Sequence, residues 1–161
     1  MKRIFLALVL FALFAGVSFA EKPMKMDMKK DMKINMPAMK KIEVDGYTVE
    51  YNLMTMMEHH QMMQKMKMDI SKMEMDMKAS HHLSLKISDS KSKKEIKDAV
   101  VKLKAIAPDK TSQELWVKWN DMMKHYGCDL RISDRGKYGI IILFKTADEK
   151  KHIVKFWEDI K

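Results

Sequence analysis

The chain of 161 residues has one cysteine, Cys128. It cannot close an internal disulfide, so its fold must stand on a hydrophobic core even in an oxidising compartment. It has one long apolar run, Ile4 to Gly16, which is too short to span a bilayer comfortably. No second run follows, so the remainder reads as soluble. The stretch 21–40 lacks aromatics. It cannot bury enough apolar area to offset the entropy of ordering, and reads as a disordered tail. Neither an acyl-enzyme motif nor a third residue to orient a Cys–His pair is evident, which argues against an enzyme.

The beginning of the chain reads as a secretory leader. Lys2 and Arg3 precede the apolar run, and Ser18-Phe19-Ala20 is a small-x-small cleavage site. Cleavage after Ala20 leaves 141 residues and lowers the net charge from +9 to +7. No cysteine stands at the cleavage point, so a lipid anchor is not indicated. The expected location is the periplasm. Export argues against nucleic acid as the partner of the basic charge and leaves an anionic membrane surface, or simple solubility, as its use.

What the chain has in excess is methionine, 19 residues in all. Beyond Met1 they fall into Met24–Met39, a run of ten from Met54 to Met77, and the pair Met122–Met123. Many repeat as Met-x-Met, a pattern that core packing does not need. Thioethers are soft ligands suited to Cu(I), and they are also flexible, adaptable surface. His59–His60, His81–His82 and His125 lie near the second and third groups. Two clusters stand out. Met122, Met123, His125 and Cys128 fall within seven residues, where a turn could converge them on one ion. Met54, Met56 and Met57 precede His59 and His60. Copper suits such mixed ligands. His81 shares its alternation phase with Leu83 and Leu85 and so faces inward, whereas His82 faces outward. Cys128 shares phase with Leu130 and Ile132; a buried small hydrophobe is its default, and an extra copper ligand the alternative.

The region after the tail reads as about seven short strands. Asp45-Gly46 signals a hairpin turn, and Tyr47, Val49, Tyr51 and Leu53 alternate with polar residues. Further alternating runs start at His81, Ala99, Gln113, Cys128, Tyr138 and His152. Gln113 to Tyr126 also fits helical spacing; a strand to Trp119, with a turn closed by Gly127, is the preferred reading. Residues 55–79 form a Met-rich insertion, helical or looped. The expectation is an all-β, antiparallel β-sandwich at 42–161, behind a leader at 1–20 and a tail at 21–41.

The stretches His81–Ile87, Ile96–Leu103, Ile106–Asp109, Met122–Gly127, Gly136–Ile140 and Lys151–Trp157 resemble the YtkA-like exported domain family. The resemblance covers roughly 42–160. It implies an immunoglobulin-like sandwich similar in architecture to CopC-type periplasmic copper carriers. The combined expectation is Cu(I) carriage or buffering. Met122, Met123 and His125 would form the site, completed by His81 or His82 with Met54, Met56 and Met57 nearby. The tail and the 62–77 run would be a weaker store, and a membrane-bound transporter or oxidase a possible recipient. Two alternatives stand beside it: a Met-rich docking surface for a membrane complex, and methionines that scavenge oxidants.

Overall fold

A computed structural model of the chain describes residues 38–68 and 76–161. The expected leader, most of the tail, and Met73 and Met75 of the insertion lie outside the described residues. In chain order the elements are β1 (Lys40–Val44), β2 (Tyr47–Thr55), α1 (Met56–Lys65), β3 (His81–Asp89), β4 (Val100–Ile106), β5 (Ser112–Asn120), β6 (His125–Leu130), β7 (Gly136–Lys145) and β8 (Lys151–Ile160). All neighbouring strands are antiparallel, in the spatial order β1-β2-β3-β6-β5-β4-β7-β8. β5 joins the two halves. Its residues 112–117 pair with β4 and its residues 118–120 with β6. The two ends of the sheet also meet: Lys40 Nζ lies 2.6 Å from the Glu158 carboxylate, and Tyr51 stacks on Phe156 with ring centroids 3.9 Å apart. The result is an antiparallel sandwich with barrel-like closure, as the alternation of the sequence implies.

Period-two alternation decides the two faces. Val49, Tyr51, Leu83, Leu85, Tyr126 and Leu130 of one half meet Val101, Leu103, Ile140, Ile142, Phe144 and Val154 of the other, all buried. Each such side chain contributes roughly 1.5–3 kcal/mol by leaving water. Tyr126 also ties the halves through polar bonds. Its hydroxyl accepts from the Ala99 amide at 2.9 Å and donates to the Ile96 carbonyl at 3.1 Å.

Two local details differ from the sequence reading. Among the described residues there are eight strands, the eighth being β1, whose residues are exposed or half-buried at the sheet edge and so carry little alternation signal. The Asp45-Gly46 turn does join it to β2, with φ of 48° and 82°, as a two-residue hairpin of the primed type requires. Gly127 does not close the turn after β5; it lies inside β6. The turn is closed earlier. The Asn120 side-chain oxygen accepts from the Met122 and Met123 amides, and Lys124 takes the left-handed φ of 54°.

The insertion does contain a helix. Thr55, the last residue of β2, is its N-cap. The Glu58 amide donates to Thr55 Oγ1 at 3.2 Å and the Thr55 amide donates to Glu58 Oε2 at 2.8 Å, a reciprocal capping box. That box turns the chain from strand to helix without a loop. His59, Met62 and Met63, at i, i+3 and i+4, share the buried face, which packs against β2 and β3. Replacing the cap, Thr55→Ala, should destabilise the protein by about 1 kcal/mol. It should also speed amide exchange in 56–65 more than in β4 or β7. Unchanged exchange in α1 would show that packing alone sets the helix.

Candidate metal centre

The outer face of β2–β3–β6 is set by register. Met54 lies opposite His82, and His82 opposite Asp129. Gly127 lies opposite Ser84, and His125 follows two residues earlier on the same face. A side chain on the outside of a sheet would ordinarily be wet. Here α1 covers the face, and Met54, His59, Met63, His82 and His125 are all less than a tenth exposed.

Three imidazoles gather in this layer. The His59 and His82 rings stack with centroids 3.8 Å apart and planes 9° from parallel. His125 meets His82 edge-on at 5.8 Å. His82 Nδ1 lies 2.7 Å from Asp129 Oδ1, so the carboxylate holds the ring through that nitrogen and aims Nε2 inward. His82 Nε2 has no hydrogen-bond partner, and neither does either ring nitrogen of His59. Buried polar atoms are nearly always paired, and three of the four such orphans among the described residues lie together in this layer, which makes it the candidate site. Gly127 makes the room. A Cβ there would sit 3.1 Å from His82 Nε2 and 3.5 Å from His125 Nε2.

Burial leaves His59 and His125 neutral. His59 is lowered to about 4 by desolvation and then by the neighbouring His82. His125 is lowered to about 4 by desolvation, then by His82 and Lys86, against a hydrogen bond to the Met123 carbonyl. Desolvation would raise the Asp129 carboxyl, but the His82 hydrogen bond and charge outweigh it and the net direction is down. The site thus combines two imidazoles kept neutral by burial, His59 and His125, with an ionised carboxylate that fixes the ring of His82, the arrangement that orients a histidine toward a metal.

The expected residues divide clearly. His59, His82, His125 and Met54 come together in this layer, and Met63, placed by sequence only in the weaker store, shares the His59 face of α1. Met56 and His60 are half-buried, and Met57 is exposed at the helix start. Met122 is exposed and Met123 half-buried on the β5–β6 turn. His81 keeps the inward phase and pairs through Nδ1 with Ser80 Oγ at 2.9 Å, which separates it from His82. Cys128 faces the core beside Leu83, away from His125. Its thiol is pushed up to about 12, first by burial and then by Asp129, so it is neither nucleophile nor ready thiolate ligand. Asp129 and Gly127 escaped sequence reasoning, although both alternate in phase with His125. Among the described residues, no group of three His, Cys, Asp or Glu side chains stands in a finished metal-binding arrangement. The parallel stack of His59 on His82 is the reason, because stacked rings do not point their nitrogens at one centre.

No family model and no curated protein matches the chain, so the YtkA-like resemblance is not confirmed. Solved structures do match. A DUF4426 family protein from Pseudomonas aeruginosa PAO1 aligns at TM-score 0.58 and 13% identity, over 78% of this chain and 96% of that one. A copper-bound variant of FetP from uropathogenic Escherichia coli strain F11 aligns at 0.57 and 12%, over 77% and 90%. A copper-bound variant of Campylobacter jejuni P19 aligns at 0.55 and 11%, over 77% and 96%. At these identities the likeness establishes the fold.

Neutral buried histidines link stability to pH. Each folded-state value lies below the ordinary 6.5. The stabilisation is therefore complete above about pH 6.5 and is lost as pH falls toward 4. Urea unfolding of the metal-free protein at pH 7 and pH 4.5 should differ by on the order of 3 kcal/mol. His59→Leu should roughly halve that difference, His125 supplying the rest, and equal stabilities of the unmodified protein at the two pH values would contradict the burial of the rings.

Proposed function

We propose that the protein is an exported copper carrier or buffer, and that the layer between α1 and the β2–β3–β6 face is where it holds the ion. The supporting observation is the set of partnerless nitrogens on His59 and His82, one of them backed by Asp129. Buried polar groups left without partners are costly, and a soft cation gives them one. Imidazole with thioether nearby is a donor set that copper accepts readily. His82 and His125 would be ligands through the nitrogens that face Gly127. His59 would join after leaving its stack, and Met54 and Met63 would supply sulfur from the walls. Other solved structures of this fold hold copper, which agrees with the reading.

The chemistry of carriage follows from the residues. Flexible thioethers exchange one at a time, so an ion can be handed over without passing through a free state. His59 and His125 need no deprotonation, because burial already keeps them neutral. Asp129 retains the orientation of His82 whether or not the ion is present. Export to the periplasm, with removal of 1–20, places such a carrier where thioethers have an advantage over thiols, since they cannot form disulfides. Carriage requires no catalytic residue. A membrane transporter or oxidase is the class of partner that would receive the ion.

Anaerobic titration with Cu(I) against a competing chelator tests the assignment, with Cu(II) in parallel to identify the oxidation state. His82→Ala and His125→Ala should each abolish tight binding, and Asp129→Asn should weaken it about 10–100-fold. Gly127→Ala should weaken it too, by filling the space between the rings, whereas Met122→Leu on the exposed turn should leave it unchanged. Binding that survives both histidine changes would remove the site. Separately, protons should compete with the ion for His125 only as pH falls toward its lowered value of about 4. An NMR titration of the metal-free protein that showed His125 protonating between pH 7 and 6 would mark it as an exposed, ordinary histidine.

A further inference from the structure

The other outer face, that of β5–β4–β7–β8, has no covering element among the described residues. Its even-phase residues on β4 and β5 and odd-phase residues on β7 and β8 point away from the core. Four large apolar side chains stand on it: Trp116 and Trp157, each 63% exposed, with Val100 at 56% and Ile153 at 50%. Exposed apolar residues are ordinary when scattered. These are not scattered, because register places them in one layer. Lys102 links Trp116 on one side to Leu143 on the other, and Leu143 in turn lies opposite Ile153.

The charge between them is mostly basic, with Glu114 on β5 and Asp159 opposite Lys137 the acidic residues of these strands' outward phase. Lys102 and Lys104 alternate along β4, Lys118 follows Trp116 on β5, and Lys145 lies opposite Lys151 across β7–β8. The carboxylate of Glu114 is engaged by Lys102 and Lys104. Lys102 Nζ sits 5.7 Å from the Trp116 ring centroid and Lys137 Nζ 5.6 Å from that of Trp157. The Trp157 ring lies over Gly139, so a Cβ at that glycine would be 3.1 Å from it. The glycine lets the indole lie against the sheet with its outer side open.

We infer that this face docks on an anionic phospholipid surface. Indole rings favour the boundary between hydrocarbon and water. Lysine is suited to the same depth, because its long apolar stem lies along the ring while the ammonium reaches outward to phosphate. An acidic protein partner fits less well. Protein interfaces favour arginine and are depleted in lysine, and the basic side chains of this face are lysine alone. The two arginines of the described residues, Arg131 and Arg135, lie outside β4, β5, β7 and β8. Docked this way, the protein turns the α1-covered face away from the lipid, toward whatever approaches from the aqueous side. The inference does not depend on the copper reading.

The test is flotation of the chain beginning at Glu21, which keeps every described residue, with vesicles of phosphatidylethanolamine and phosphatidylglycerol. Vesicles of phosphatidylcholine alone are the control. Binding is expected to the anionic vesicles only, and to vanish at about 0.5 M salt. A double change, Trp116→Ser with Trp157→Ser, and a charge change, Lys102→Gln with Lys104→Gln, should each reduce it roughly tenfold, with circular dichroism confirming the fold. Lipids brominated along the acyl chain should quench Trp116 and Trp157 and spare Trp119, which packs on Tyr126. Failure to bind, equal binding to neutral vesicles, or binding untouched by both double changes would overturn the proposal. So would light scattering that showed the face consumed by a second copy of the chain.

Discussion

The contact on which the site depends is the packing of α1 against the outside of β2 and β3. A histidine-bearing strand face would otherwise be solvated, with its imidazoles titrating near their ordinary values and its methionines idle. Burial under ten helical residues removes water from His59, His82 and His125 together. Desolvation then has two linked effects. It keeps His59 and His125 neutral, and it leaves nitrogens on His59 and His82 that no protein group satisfies. The first suits a metal ligand, and the second makes the closed, metal-free layer costly to maintain. One structural event therefore creates both the neutral imidazoles and the unpartnered nitrogens of this layer.

The sandwich supplies the stiffness that this arrangement requires. Its core lies wholly on the inner faces, closed at the edge by Lys40 with Glu158 and by Tyr51 on Phe156. The outer faces are thereby free to differ. One carries the histidine layer and its helix. The other carries lysine and tryptophan with nothing over them among the described residues. His152 is a buried imidazole in a different setting: its Nδ1 meets Asp45 Oδ2 at 3.0 Å, its ring is stacked on Phe144 at the core edge, and its Nε2, like that of His82, has no partner. The difference at His82 is company, since other nitrogens and thioether-bearing elements share the same layer.

Much of the fold was legible because a sandwich strand reports its inner face at every second residue. The phases of Tyr47–Leu53, His81–Ile87, Ala99–Ala105, Tyr138–Phe144 and His152–Phe156 all hold. β1 was not legible, because an edge strand buries too little to alternate. The start of β6 was also misplaced, because Gly127 looks like a turn residue. Its lack of a side chain serves the space between two imidazoles instead, and no local rule separates those uses. The site was legible in part. The chemistry of its residue types pointed to His59, His82, His125 and Met54, while Asp129, Gly127 and Met63 gave no signal distinct from ordinary strand and helix positions.

By itself the amino-acid order determined which residues face the core, where the Asp45-Gly46 hairpin turns, and that soft donors were concentrated near histidine pairs. Those properties are local, governed by side-chain period and backbone preference. Only the tertiary structure decided which histidine of each pair enters the candidate layer, since neighbours on a strand point to opposite faces and adjacent residues on a helix diverge by about 100°. His82 rather than His81 gained its importance from a strand nearly fifty positions away that carries Asp129. His59 gained its own from the docking of α1 across the sheet. Cys128, three residues from His125 in the chain, was sent to the core by the same alternation. Proximity in sequence and proximity of side chains are set by different physics, and the candidate centre belongs to the second.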